Sequence, residues 1–230
     1  QAQKLADDPK QLLAFQAGAR LGSSLRSVLA SGERIIALTQ SLKGYARPDA
    51  DERKEVDVRR GIDDVLRLTS HRVHGIDVVC EYEDVEPVLA HPSKLQQVWT
   101  NLIVNAAEAI EDEAADLKAR AEASPASGIY LPARGHDEAR IAIRVAMDGD
   151  QVKVEICDNG PGIAPKVLDR IMEPHFTTKA GRVRFGLGMG MSIVHSIIAD
   201  LDGRLLIDSH PGSTTMRILI PAHHVHEEES

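Results

Sequence analysis

The sequence predicts an α+β fold, on three observations. Residues 141–147 and 152–157 alternate apolar and polar around Asp148-Gly149-Asp150, which marks a β-hairpin. Residues 205–209 and 214–220 suggest a second hairpin around His210-Pro211-Gly212-Ser213. Ahead of both lies a stretch with helical rather than alternating spacing, from Lys94 to about Ala114. The 230 residues suit one full domain plus a smaller element. Apolar residues at 43% can fill a core, but aromatics at 3% make it an aliphatic one. The net charge of −8 argues against a nucleic-acid surface, which needs cations to neutralise phosphates.

In chain order, residues 9–45 read as helical, with Leu21, Leu25, Val28, Leu29, Ile35, Ile36, Leu38 and Leu42 largely at helical spacing. Gly18, Gly22 and Gly32 interrupt the pattern. A stripe on such an arm (1–48) asks for a partner, from its own chain or a second copy; a core helix of the following domain is the alternative. Arg47-Pro48-Asp49 ends it, and 49–54 reads as a charged linker before a domain over 55–222. There, 55–58 suggests a short strand and 59–72 a helix turning Ile62, Val65, Leu66 and Leu68 inward. Gly75 breaks the chain before a strand at 76–82, and 87–89 suggests a short edge segment. Ser93 offers an N-cap, with Pro92 just ahead of it. The helix it opens carries Leu95, Val98, Trp99, Leu102, Ile103, Ala106 and Ile110 on its apolar side. Residues 111–139 read as its charged tail and then a surface loop, with 115–138 an insertion. The segment 191–200 is helical, and the terminal HHVHEEES (223–230) reads as disordered rather than metal-binding. Cys80 and Cys157 flank no CxxC or His/Cys cluster, so neither zinc nor a disulfide framework is suggested.

The candidate site lies in the glycine-studded stretch 155–194 and the helix before it. Asp158 follows Val152, Val154 and Ile156, so it ends a half-buried strand, where its carboxylate can accept from a ligand's exocyclic amine. Gly160 and Gly162 leave room for a flat group close to the backbone. Gly186, Gly188 and Gly190 run into Met191-Ser192-Ile193-Val194, a helix start whose free N–H groups suit phosphate. Either glycine cluster alone also reads as a turn. No GxxxxGK[ST] occurs, which excludes a Walker-type loop. Asn101 and Asn105 lie one turn apart on one face of an otherwise apolar helix, with Glu108 nearly in line. Asparagine is a poor mid-helix residue, so the pair suggests a metal ion held through amide oxygens; two solvated asparagines are the alternative.

These pieces, in this order, resemble sensor histidine kinases of two-component systems, in their nitrogen-regulator-like subgroup. NLIVNAAEAI resembles the N box, DNGPGI and GLGMGMSIV the two glycine boxes, EPHFTTK the phenylalanine box, and ERIIALTQSLKGYAR the second helix of the dimerisation and phosphotransfer hairpin. The resemblance implies a two-layer α/β sandwich of the gyrase, heat-shock-chaperone and histidine-kinase ATPase type, a mixed, mainly antiparallel sheet facing three helices. It further implies ATP and Mg²⁺ as cofactors. Asp158, Gly160, Gly162 and Ile163 would shape the adenine pocket, and Asn105, with Asn101 beside it, would hold the metal-triphosphate. Thr178 and Lys179 would act from a lid, and Gly186, Leu187, Gly188 and Gly190 would let it hinge. Residues 164–185 should form that lid. The implied reaction is phosphoryl transfer to a histidine, then to a response-regulator aspartate. Related hydrolases carry glutamate at the Asn101 position, and an amide cannot serve as that base. A non-catalytic nucleotide-binding regulator and a serine kinase of the same fold are the competing readings. The expected partners are a receiver domain and a second copy of the chain through 1–48. The expected location is cytoplasmic, with any membrane tether upstream. No histidine precedes His71, so the phosphoacceptor is expected upstream as well. Two departures concern the lid: His175 stands at a common phenylalanine position, and Arg182-Val183-Arg184-Phe185 replaces small residues.

Overall fold

The computed structural model describes residues 52–123, 139–173 and 190–223. All of them belong to one compact unit. The arm at 1–48, residues 174–189 and the tail from 224 lie outside the described residues, and with them Thr178, Lys179, Gly186, Leu187 and Gly188.

The elements run β1 (Lys54–Val56), α1 (Val58–Leu68), β2 (Asp77–Tyr82), β3 (Val88–Ala90), α2 (Pro92–Ala123), β4 (Arg140–Asp148), β5 (Gln151–Asp158), α3 (Pro165–Leu168), α4 (Gly190–Ala199), β6 (Arg204–His210) and β7 (Ser213–Pro221). Five strands make one mixed sheet in the order β2-β4-β5-β7-β6, while β1 and β3 pair separately. Only the β2–β4 pairing is parallel within the five-stranded sheet. The helices lie on one face: α2 touches β5 and is flanked by α1 and α4, and α4 also touches β6.

The strand alternation decides which side is core. Ile141, Ile143 and Val145 of β4, Val152, Val154 and Ile156 of β5, and Met216, Ile218 and Ile220 of β7 all point into the helix layer and are buried. Both hairpins turn on two residues. Gly149, first in its turn, has φ 61°, as a type II′ turn requires; Gly212, second after Pro211, has φ 89°, as a type II turn requires.

The structure corrects three helix ends. Helix α2 runs on to Ala123, past the expected end near Ala114 and into the stretch read as an insertion. Ser93 is not the N-cap of α2: Pro92 is its first residue, and the His91 carbonyl accepts from the Lys94 and Leu95 N–H groups. Proline fits that position because the N–H it lacks would have no partner there. Helix α1 stops at Leu68, not Arg72, because Thr69 leaves helical geometry (φ −99°, ψ 13°), its N–H and hydroxyl closing the last turn onto the Val65 carbonyl. Leu68 is 67% exposed rather than turned inward, since the buried side of α1 runs through Ile62, Val65 and Thr69. Asp57 caps the other end of α1 through the Arg59 N–H.

Trp99, the chain's one tryptophan, is fully buried against Gly61, where an added Cβ would sit 3.4 Å from its Nε1. That N–H has no hydrogen-bond partner. An orphaned donor costs about 1–3 kcal/mol, so Trp99→Phe should change stability by no more than about 1 kcal/mol, the lost packing offsetting the relieved donor. Urea unfolding followed by circular dichroism checks this. A loss above about 3 kcal/mol would mean the indole N–H is satisfied in solution.

Candidate functional site

Three elements converge on the site: the end of β5, the middle of α2 and the start of α4. Strand β5 buries every second residue, and Asp158 falls in the same phase as Val152, Val154 and Ile156. Its carboxylate is therefore placed where the alternation calls for a core residue, and it is 6% exposed. Its register neighbours are Ile141 and Thr214. Burial is the chief cause of its pKa rising to about 6; the Glu113 charge adds to the rise, and the Gly160 N–H, donating to Oδ1 at 3.0 Å, opposes it. A second carboxylate oxygen remains to accept from a ligand.

The loop after β5 is fitted to its surroundings by its glycines. A Cβ on Gly160 would stand 2.9 Å from Asp158 Oδ1 and 3.4 Å from the backbone and side chain of Ala109 on α2. Gly162 has φ 79°, and a Cβ there would strike the His210 carbonyl at the β6–β7 turn. Ile163 is held beside it: its N–H donates to Ser209 Oγ at 2.8 Å, and Ser209 shares a hydrogen bond with the buried Thr214 at 2.9 Å. Asn159 fastens the other side, accepting from the Arg140 N–H at 2.8 Å.

At the opposite end, Asn101 and Asn105 share one face of α2 and meet the first turn of α4. Asn101 Nδ2 donates to the Gly190 carbonyl at 3.4 Å, and Asn105 Nδ2 lies 3.6 Å from Met191 Sδ. Both side chains thus face the first turn of α4, and their amide oxygens are hard donors of the kind Mg²⁺ prefers. Among the described residues no group of three or more His, Cys, Asp or Glu could hold a metal. Asn101, Asn105 and Ala109 follow at four-residue steps down one side of α2. Eight residues of helix span about 12 Å, the order of length between a nucleotide's base and its outer phosphates.

The expected residues Asn101, Asn105, Asp158, Gly160, Gly162, Ile163 and Gly190 are thus brought to one side of the fold. Of the expected lid, residues 164–173 are described and open with the single turn α3. Sequence reasoning missed Ser209, Thr214 and Ala109. Thr214 carried a legible signal, a hydroxyl in the inward phase of β7.

Residues 90–224 match the family model described as "Histidine kinase-, DNA gyrase B-, and HSP90-like ATPase". The chain is 30% identical to the sensory histidine kinase/phosphatase NtrB of Rhizobium leguminosarum bv. phaseoli, over 83% of this chain and 47% of that one. It is 31% identical to the sensor kinase CckA of Brucella abortus (strain 2308), over 86% and 20%. The chain therefore spans about half, or less, of the curated relatives it matches. Among solved structures, the catalytic domain of the histidine kinase ThkA superposes with a TM-score of 0.56 at 24% identity, over 74% of this chain and 96% of that one. Full-length ShkA in complex with AMPPNP superposes with a TM-score of 0.59 at 22% identity, over 95% and 40%. These structural matches establish the fold.

Proposed function

Because the chain belongs to the histidine kinase-, DNA gyrase B- and HSP90-like ATPase family, we propose that it is the catalytic region of a sensor histidine kinase, binding Mg-ATP along α2 and passing the γ-phosphoryl group to a histidine. One arrangement carries this reading. A buried carboxylate at the β5 end, whose loop packs on Ala109 of α2, and two α2 amides facing the α4 start lie along the about 12 Å of helix from Ala109 to Asn101.

Asp158 accepts from the adenine amine, and Gly160 and Gly162 let the ring pass close to the backbone. Asn101 and Asn105 offer oxygens to the metal-triphosphate, and the α4 N-terminus offers N–H groups and the positive end of its dipole to the phosphates. A bound Mg²⁺ would neutralise phosphate charge. Lys179 and Thr178 are proposed to reach the phosphates from the lid, with Gly186, Leu187 and Gly188 as its hinge. Phosphoryl transfer asks mainly for positioning and charge stabilisation, which these groups provide. Asn101 cannot deprotonate water, which favours transfer to a protein side chain over hydrolysis. The names of the relatives, sensor kinases and histidine kinase/phosphatases, support the same reading. A receiver domain is the proposed final acceptor, and a second copy the proposed partner of residues 1–48. No helix among the described residues is long and apolar enough to cross a membrane.

Calorimetric titration tests the assignment. Asn105→Ala should weaken the Mg²⁺-dependent part of ADP binding by at least roughly tenfold while leaving metal-free binding nearly unchanged. Equal losses with and without Mg²⁺ would remove Asn105 from the metal site. Rapid release of free phosphate from ATP would replace the kinase reading with a hydrolase.

A further inference from the structure

Helix α4 is held at both ends. Its start meets Asn101 and Asn105, as described above. Its far end receives two cations from different parts of the chain. Arg53 Nη2 donates to the Asp200 carbonyl at 2.6 Å, and Lys94 Nζ lies 3.9 Å from the Asp200 carboxylate. Carbonyls at a helix C-terminus lack intrahelical partners and carry the negative end of the dipole, so a guanidinium is well placed there. The two cations do different work. Lys94 sits on α2, seven residues before Asn101, so it ties α4 to the same helix at a second point. Arg53 sits in the charged segment just ahead of β1, where the chain passes toward residues 1–51. That segment is itself fastened to the domain: Lys54 pairs with Ala90 of β3, and Glu55 lies 3.7 Å from His223, just past β7.

We propose that Arg53 is a positioning residue that couples the phosphate end of the nucleotide site, through α4, to the segment joining the domain to residues 1–51. The inference rests on the functional reading above, because it takes the α4 start as the place where phosphates act. When a nucleotide fixes the first turn of α4 against Asn101 and Asn105, the last turn presents its carbonyl to Arg53 in one register. The bond then holds the segment to the domain. Coupling of this kind is reciprocal, so Arg53 must in turn favour nucleotide binding. A solvent-exposed cation at a helix C-terminus sets the scale: about 2- to 5-fold in affinity.

The test compares the full chain with Arg53→Ala and Arg53→Lys, using a non-hydrolysable ATP analogue with Mg²⁺. Calorimetry gives affinity, and backbone hydrogen exchange gives the state of residues 53–57 and 199–203. In the unmodified chain, the analogue should slow exchange in both segments. Arg53→Ala should lose the slowing at 53–57 and bind about 2- to 5-fold more weakly; Arg53→Lys should recover part of both. A residue that served stability alone would raise exchange with and without analogue and leave the response to it intact. That result overturns the proposal, as does an unmodified chain that binds the analogue with no change at 53–57. If the unmodified chain fails to bind the analogue at all, the functional reading itself has failed, and calorimetry shows this before any exchange is measured.

Discussion

Replacing Asp158 by asparagine should weaken adenine nucleotides while making the nucleotide-free protein more stable. The first effect follows from the lost charge-assisted hydrogen bond to the adenine amine. It should cost on the order of 1.5–3 kcal/mol, roughly 10- to 100-fold, and equally for ATP and ADP. The second follows from burial. The Asp158 carboxyl has a pKa of about 6 in the fold against 3.8 outside it. A carboxyl raised in this direction contributes its stability below pH 3.8, where it is protonated in both states. That contribution is lost as pH rises through about 6, since ionisation must then occur inside the fold. The gap is worth on the order of 3 kcal/mol at neutral pH, at about 1.4 kcal/mol per pH unit. Asparagine removes the titration yet can still accept from the Gly160 N–H. The variant should therefore match the parent below about pH 4, gain on it as pH rises to about 6, and hold that advantage to pH 7.5 in urea unfolding. Unchanged ADP affinity would remove Asp158 from the base pocket. A stability difference that does not grow with pH would mean that the carboxylate is hydrated in the fold.

The legibility of this site in the sequence follows from how local each signal is. Asp158 could be placed because three inward residues precede it in strict alternation, and the Asn pair because four-residue spacing defines a helix face. Both hairpins were readable from their turns. The parallel β2–β4 pairing was not, since paired residues such as Asp77 and Arg140 are 63 positions apart in sequence and no local pattern names the partner. The ends of α1 and the start of α2 were misread by a few residues for a similar reason, and the end of α2 by nine, since no Gly or Pro marks a stop between Ala114 and Ala123. Proline fits either the first helical position or the one before it, and Thr69 ends α1 by a change of backbone angles that its residue type does not announce. Ser209 reads as an ordinary strand residue until the β6–β7 turn brings it to the Ile163 N–H. Arg53 read as one more charge in a linker, because its partner is a carbonyl 147 residues away.

Gly162→Ala should be among the most damaging substitutions in the domain, and Gly149→Ala supplies its control. Both glycines have positive φ, 79° and 61°, which an L side chain adopts at a cost of about 1–2 kcal/mol. A Cβ on Gly149 would meet nothing within 4 Å, so that variant should show this cost and little else. A Cβ on Gly162 would strike the His210 carbonyl, lie 2.8 Å from its carbon and 3.3 Å from Pro211 Cα. These are backbone atoms of a two-residue turn between paired strands, so neither can yield without moving β6 against β7. The neighbouring Ile163 N–H also depends on Ser209, at the end of β6, so displacement would break the bond that orients the loop beneath the base. The combined cost should reach about 3 kcal/mol or more, close to double the control. ADP affinity should fall by more than roughly tenfold in Gly162→Ala and stay within about twofold in Gly149→Ala. Urea unfolding and calorimetry of the two variants side by side check both statements. Equal stability losses would show that the DNGPGI loop does not rest on the β6–β7 turn. A stability loss with ADP affinity retained would show that it rests there without shaping the nucleotide site.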